Sequence, residues 1–177
     1  MPAETTRVTW SACVLAALSA TAGTGLSGIR YNAPAPDFAI PATDGAHSLS
    51  DLRGRVVIID FWATWCDVCT TEMRYFVRAQ QSFGSRVAVL TISPESRAVA
   101  GTYFRFAKIP LPIVEDADGS ISRAYSVSKI PVTLVVDPAG DVSYVSVGGL
   151  SWDELRRAVE QAAAPTSAST QTPRVLQ

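Results

Sequence analysis

Residues 60–73 read "DFWATWCDVCTTEM", and two of the chain's three cysteines and two of its four tryptophans fall inside this stretch. Just before it, Val56, Val57, Ile58 and Ile59 form a β-branched apolar run of the kind that is buried on both faces in a sheet. After it, Cys69, Met73, Phe76, Val77 and Gln80 recur at steps of three and four, while Glu72, Arg74 and Arg78 fall elsewhere. That period is an amphipathic helix with its charged side chains directed outward. A strand therefore delivers the chain to a cysteine pair, and Cys66 is expected at the start of the helix that follows.

That position dictates the chemistry of the thiol. First-turn amides have no partners within a helix, and the positive end of the dipole favours a thiolate, so the pKa of Cys66 falls from about 8.5 toward about 7 or below. Cys69 lies one turn down on the same side, where it can attack a mixed disulfide on Cys66 and release the partner as a dithiol. Other uses of a CxxC pair fit less well. A closed zinc site needs about four ligands, and only Cys13 and the single histidine, His47, remain to supply them. Haem attachment needs histidine directly after the second cysteine, where this chain has Thr70. No metal and no cofactor are expected. Cys66 and Cys69 form a redox couple or, on the bland reading, a permanent bridge.

Composition sets the frame. The chain has 177 residues, which favours one domain, and 47% hydrophobic residues support a core. A formal net charge of −1 gives no basis for nucleic acid as a partner. From Val8 to Ile29 there is no charged side chain. "ACVLAALSATAG" resembles the apolar part of a signal peptide, with Arg7 before it and Ala20, Thr21 and Ala22 as a cleavage motif ahead of Gly23. The same run is long enough to span a bilayer uncleaved. Residues 1–33 are thus read as a signal peptide or membrane anchor with a linker, and the location as periplasmic or extracytoplasmic. Cys13 is an apolar filler in this segment. Residues 164–177, rich in serine and threonine and without periodicity, read as a disordered tail, leaving 34–163 as the folded unit.

Within that unit the pattern alternates. "PDFAIPATDGAHSLSDLRGR" reads as an antiparallel hairpin around Asp44-Gly45, with His47 an ordinary surface residue beside the turn. "RVAVLTI", residues 86–92, is a second apolar strand. A helix follows it, with Ser93 or Glu95 near its cap and Val99, Tyr103, Phe106 and Ala107 on its inner face. Ile113 and Val114 form a short strand, and a turn at Asp118-Gly119 leads to a short helix through Ala124 and Tyr125. "PVTLVVD" and "DVSYVSV" flank Pro138, Ala139 and Gly140 as a hairpin, and Ser151, Asp153 and Glu154 open a last helix with Trp152, Leu155, Val159 and Ala162 inward. The sum is an α/β fold: a mixed sheet with helices on both faces, parallel crossovers and an antiparallel edge.

The order of these elements, "WATWCDVC" and the later "KIPVTLVVD" resemble the thioredoxin fold. The leader, the opening "APDFAI…SLSDLRGRVVIIDFWATWC", which contributes the N-terminal hairpin extension, and the central insertion before Pro110 are similar to its exported branch, the TlpA-like thiol-disulfide oxidoreductases that include cytochrome c maturation proteins. The resemblance implies a cis Pro131 packed against the disulfide. It also implies that Asp60 is a buried acid that takes the proton of Cys69, a role favoured by the raised pKa of a carboxylate in an apolar strand. Trp65, Asp67, Val68, Ile130 and Pro131 are the candidate substrate-contacting residues. Many relatives have proline where this chain has Val68, and Asp67 opposes a thiolate on Cys66 by like charge, so the couple is expected to be less oxidising than the strongest oxidants. The implied partners are protein disulfides, a membrane thiol electron donor, and apocytochrome c or a copper-centre assembly factor.

Three other readings are weighed against the same motifs. A peroxiredoxin-like peroxide reductase shares the "PDF…LSDLRG" opening but not the threonine and proline pattern around its reactive cysteine. A non-catalytic domain with a structural disulfide would also use Trp62, Trp65 and Ile130, because aromatic groups beside a shallow site bind polypeptide equally well. A copper chaperone of this fold needs a wider cysteine spacing and a downstream histidine, which the chain lacks.

Overall fold

The computed structural model describes residues 31–43 and 45–164. The leader features from Arg7 to Ile29, Cys13 among them, residue Asp44 of the expected turn, and the tail from residue 165 lie outside the described residues. No helix among the described residues is long and apolar enough to cross a membrane.

Three β-branched runs and their neighbours build the sheet. β1 (Ala39–Thr43) and β2 (Ala46–Ser48) pair antiparallel as the expected hairpin, and a 3-10 turn over Leu49–Leu52, not anticipated from the pattern, carries the chain into β3 (Val56–Phe61). α1 (Asp67–Phe83), β4 (Val87–Ser93), α2 (Arg97–Ala107), β5 (Ile113–Glu115), α3 (Ser120–Ala124), β6 (Val132–Val136), β7 (Val142–Val147) and α4 (Trp152–Ala163) follow. The five-stranded sheet has the order β5-β4-β3-β6-β7, with β3, β4 and β5 parallel and β6 and β7 antiparallel. This is the mixed α/β sheet of the thioredoxin fold.

β3 is central, so every one of its residues is buried. Side chains alternate across its two faces. Val56, Ile58 and Trp62 join one core layer with α1, α2 and α4, and Val57, Ile59 and Phe61 join the other with the β1–β2 hairpin and Tyr125. Each fully buried aliphatic side chain contributes about 1.5–3 kcal/mol of transfer free energy, and Ile58, Ile59 and Leu134 are completely excluded from solvent. α4 opens with the expected capping box, in which the Ser151 hydroxyl accepts the Glu154 N–H and the Glu154 carboxylate accepts the Ser151 N–H.

Two sequence expectations are corrected. The cap of α2 is Ser96, whose hydroxyl accepts from the Val99 N–H, rather than Ser93 or Glu95. Its inner face is also shifted: Ala100 and Phe104 are buried, whereas Val99 and Phe106 are 50% and 87% exposed, Ala107 is exposed and only Tyr103 is half-buried. The reason is packing against Trp62, whose ring stacks on Phe104 at 4.8 Å. The helix has apolar residues on two sides, and periodicity alone does not say which side the sheet takes.

Candidate redox site

β3 ends at the rim of the sheet and the loop through Thr64 turns the chain into α1 with Cys66 as its N-cap, so the sulfur takes the place usually given to a capping oxygen. The Cys69 N–H points at Cys66 Sγ at 3.3 Å, and the Thr70 N–H bonds the Cys66 carbonyl. One orphan first-turn amide, that of Cys69, thus points at this sulfur and favours its thiolate. Cys66 and Cys69 are joined as a disulfide. The two sulfurs are unequal: Cys66 keeps 9% of its surface and Cys69 none. Trp65, beside them, is 69% exposed and Val68 is 50% exposed.

The loop carrying Trp65 is tied down by a contact that sequence reading missed. The Glu95 carboxylate accepts the Thr64 N–H at 2.6 Å and the Thr64 hydroxyl at 2.7 Å, and so joins the end of β4 to the residue before Trp65. A lone glutamate in a loop gave no signal of this role.

Behind the cysteines lies buried acid. Asp60 is fully buried on the face of β3 that α1 covers, and its Oδ1 accepts from the Thr133 hydroxyl at 3.1 Å on the neighbouring strand. Burial pushes its carboxyl well above the ordinary range, the Thr133 hydrogen bond works against this, and the Glu72 charge adds to the rise. Glu72 corrects the expected helix pattern, for it points inward and is 3% exposed. The spacing Cys69, Glu72, Met73, Phe76 is i, i+3, i+4, i+7, so the inward face was legible and only the assumption that charge faces solvent put Glu72 outside. One Glu72 oxygen accepts the Leu150 N–H. Burial raises its carboxyl as well, offset in part by that amide and reinforced by Glu154. The second oxygens, Oδ2 of Asp60 and Oε2 of Glu72, are buried with no hydrogen-bond partner among the described residues. A raised carboxyl with an unused oxygen is suited to exchange a proton.

The substrate-contact candidates divide between two grooves. Trp65 and Ile130 line a depression of about 440 Å³ with Pro94, Val127 and Lys129. Asp67 and Val68 line another of about 520 Å³, shared with Glu72, Tyr75 and Leu150. Gly149 is on its wall, where an added Cβ would lie 3.0 Å from both Glu72 Oε1 and Val68 Cγ1. Pro131 is buried, and the Ile130–Pro131 bond is cis, as the resemblance implies. His47 is exposed and remote in role, its N–H donating to Asp51. Among the described residues no group of histidine, cysteine, aspartate and glutamate is placed to hold a metal.

A cysteine disulfide at a helix N-terminus, set at the rim of a thioredoxin-type sheet, defines a thiol-disulfide oxidoreductase of the thioredoxin fold. Residues 31–145 match the model of the AhpC/TSA family, and the chain belongs to that family. It is 32% identical over 130 residues to thiol-disulfide oxidoreductase ResA of Bacillus subtilis (strain 168), covering 72% of this chain and 73% of the relative. Thioredoxin-like protein YneN of the same organism is 31% identical over 142 residues, covering 75% and 81%. Among solved structures, a thiol:disulfide interchange protein of the thioredoxin family from Chlorobium tepidum TLS superposes with a TM-score of 0.63 at 29% identity, covering 75% of this chain and 97% of that one. The first and third of these proteins carry oxidoreductase and interchange names, in keeping with the tryptophan that precedes Cys66 here.

Proposed function

We propose that the protein reduces protein disulfides in the cell envelope through the Cys66/Cys69 dithiol and is itself re-reduced by a membrane thiol donor. The observation that carries this reading is the asymmetry at the head of α1, where Cys66 caps the helix and keeps 9% of its surface while Cys69 is fully buried, with burial raising the carboxyl pKa of both Asp60 and Glu72.

The chemistry follows in balanced steps. The Cys66 thiolate attacks one sulfur of a substrate disulfide, forming a mixed disulfide and expelling the other substrate sulfur as a thiolate. Cys69 gives its proton to the ionised carboxylate of Asp60, the residue assigned that role, which becomes the neutral acid, and the resulting thiolate attacks Cys66 Sγ. The substrate leaves with both sulfurs reduced, and Cys66 and Cys69 are left as the disulfide. A donor dithiol reverses the last step by the same exchange. Trp65 and Ile130, with Pro131 following Ile130, on one side and Asp67 and Val68 on the other are the surfaces assigned to the substrate chain.

The reducing direction is supported by Asp67 next to Cys66. Negative charge near the sulfurs disfavours the thiolate and so weakens the oxidising power of the disulfide. The uncharged run from Val8 to Ile29, which resembles a signal peptide or anchor, supports the envelope assignment, and an oxidising compartment still requires dedicated reductants. Apocytochrome c is the substrate that the resemblance to cytochrome c maturation proteins favours, with a copper-centre assembly factor as the other candidate. Equilibration of the full-length protein with glutathione buffers tests direction: a potential well below about −180 mV is expected, and one near about −120 mV would refute the reductase assignment.

A further inference from the structure

The groove lined by Trp65 and Ile130 carries a single charge. Lys129 is the one charged residue on its wall, set among Phe61, Ile92 and Val127. It is exposed, and it has neither a hydrogen bond nor an ion pair among the described residues. Two carboxylates beside this wall are already engaged. Glu95, which follows the wall residue Pro94, is held by Thr64. Asp116 accepts from the Ile121 N–H and from the N–H and hydroxyl of Ser122, another wall residue.

The same wall holds an unmet donor. Trp62 contributes to it while fully excluded from solvent, and its indole N–H has no acceptor among the described residues. The groove lined by Asp67 and Val68 has the opposite character, for its charged residues are Asp67 and Glu72. Trp65 and Asp67 are the two sequence neighbours of Cys66, one on each groove, so the sign of the charge changes across the attacking sulfur.

We propose that the Trp65–Ile130 groove takes an acidic side chain of the substrate polypeptide, on one flank of the cysteine that Cys66 attacks, and that Lys129 is the residue that selects it. The inference rests on the proposed reduction of protein disulfides and names a feature of the substrate. In an extended chain a side chain two residues from the target cysteine lies about 7 Å from it and on the same face, which suits a groove that begins at the neighbour of Cys66. A carboxylate there meets an unpaired ammonium beside apolar walls, where a charge-assisted bond is stronger than one to a neutral acceptor. Asp67 repels the same carboxylate from the other side, so the preference applies to one flank only.

The test uses the full-length protein in its dithiol form and peptides that each close one disulfide between two cysteines. They carry glutamate, glutamine or lysine two residues before the first cysteine or two residues after the second. Acid quenching and thiol alkylation give the second-order rate at which each peptide oxidises the protein. On one flank glutamate should be faster than glutamine by about two- to fivefold, the range of a partly exposed ion pair, and lysine slower than glutamine. Added salt should shrink the ratio. Lys129→Gln should bring the glutamate-to-glutamine ratio to one, and Lys129→Glu should invert it. The ratio is read within each variant, so a change in overall rate does not affect it. Equal rates for all the peptides, equal gains on both flanks, or a glutamate preference that survives in Lys129→Gln would overturn the inference and leave the Cys66/Cys69 chemistry standing. Reduction of none of the peptides would overturn that chemistry as well.

Discussion

Glu72 accepts the backbone N–H of Leu150 across 78 residues of sequence, and thereby joins the first turns of α1 to the loop that follows β7. The contact holds a carboxylate beside the cysteines and closes one wall of the groove lined by Asp67 and Val68. Glu72→Gln keeps an acceptor for Leu150 but removes the charge that raises Asp60. The pH at which the resolving step gains speed should therefore move down, with the fold intact, as read from single-turnover kinetics over a pH series. Glu72→Leu instead leaves the buried Leu150 amide unpaired and should lower stability in urea by about 1–3 kcal/mol.

The clamp between Thr64 and Glu95 makes a second expectation. Two short hydrogen bonds to one carboxylate fix the turn that carries Trp65. Glu95→Ala should cost about 1–2 kcal/mol, since the site is partly open to water. It should also lower the fluorescence anisotropy of Trp65, measured in a variant whose other tryptophans are replaced by phenylalanine. Unchanged anisotropy would show that the loop is held by other contacts.

Asp60 links the site to stability through pH. Its folded pKa is raised chiefly by burial, so the folded state retains a proton that the unfolded chain releases above about pH 3.9. The sign follows: this group's stabilising contribution is complete below that pH and is lost as pH rises through the folded pKa. In Asp60→Asn the loss should vanish, so the stability difference should shift in favour of asparagine between about pH 4 and neutrality. Denaturant unfolding of both proteins across that range measures it, and parallel curves would mean that Asp60 titrates normally.

Much of this was legible before any coordinates. β3 announced itself because a central strand buried on both faces leaves no polar position in "VVII", and Cys66 was placed because the period changes from strand to helix at that residue. The residues that escaped did so for identifiable reasons. Glu72 sits at an inward helical position but was assigned outward by its charge, and only the tertiary contact with Leu150 explains its burial. α2 was read one residue out of phase because Val99 and Phe106 are as apolar as Ala100 and Phe104, and the choice between stripes is made by the ring of Trp62. The Thr64–Glu95 pair joins two loops 31 residues apart, a relation that no local pattern encodes.

The assignment of roles to the two sulfurs rests on their unequal burial, 9% against none. An attacking thiol must meet a substrate disulfide in line, which the partly open Cys66 at the helix N-terminus can do and the enclosed Cys69 cannot. Cys69→Ser should therefore attack substrate and remain covalently attached, because no thiol is left to displace it. Cys66→Ser should capture nothing. Asp60→Asn, with both cysteines present, should slow release more than attack, so that mixed disulfides persist for longer. Non-reducing electrophoresis of acid-quenched samples, with and without later reduction, reads all three. Reducible adducts on Cys66→Ser and none on Cys69→Ser would reverse the assignment of nucleophile, and adducts on neither would mean that the pair is a permanent bridge.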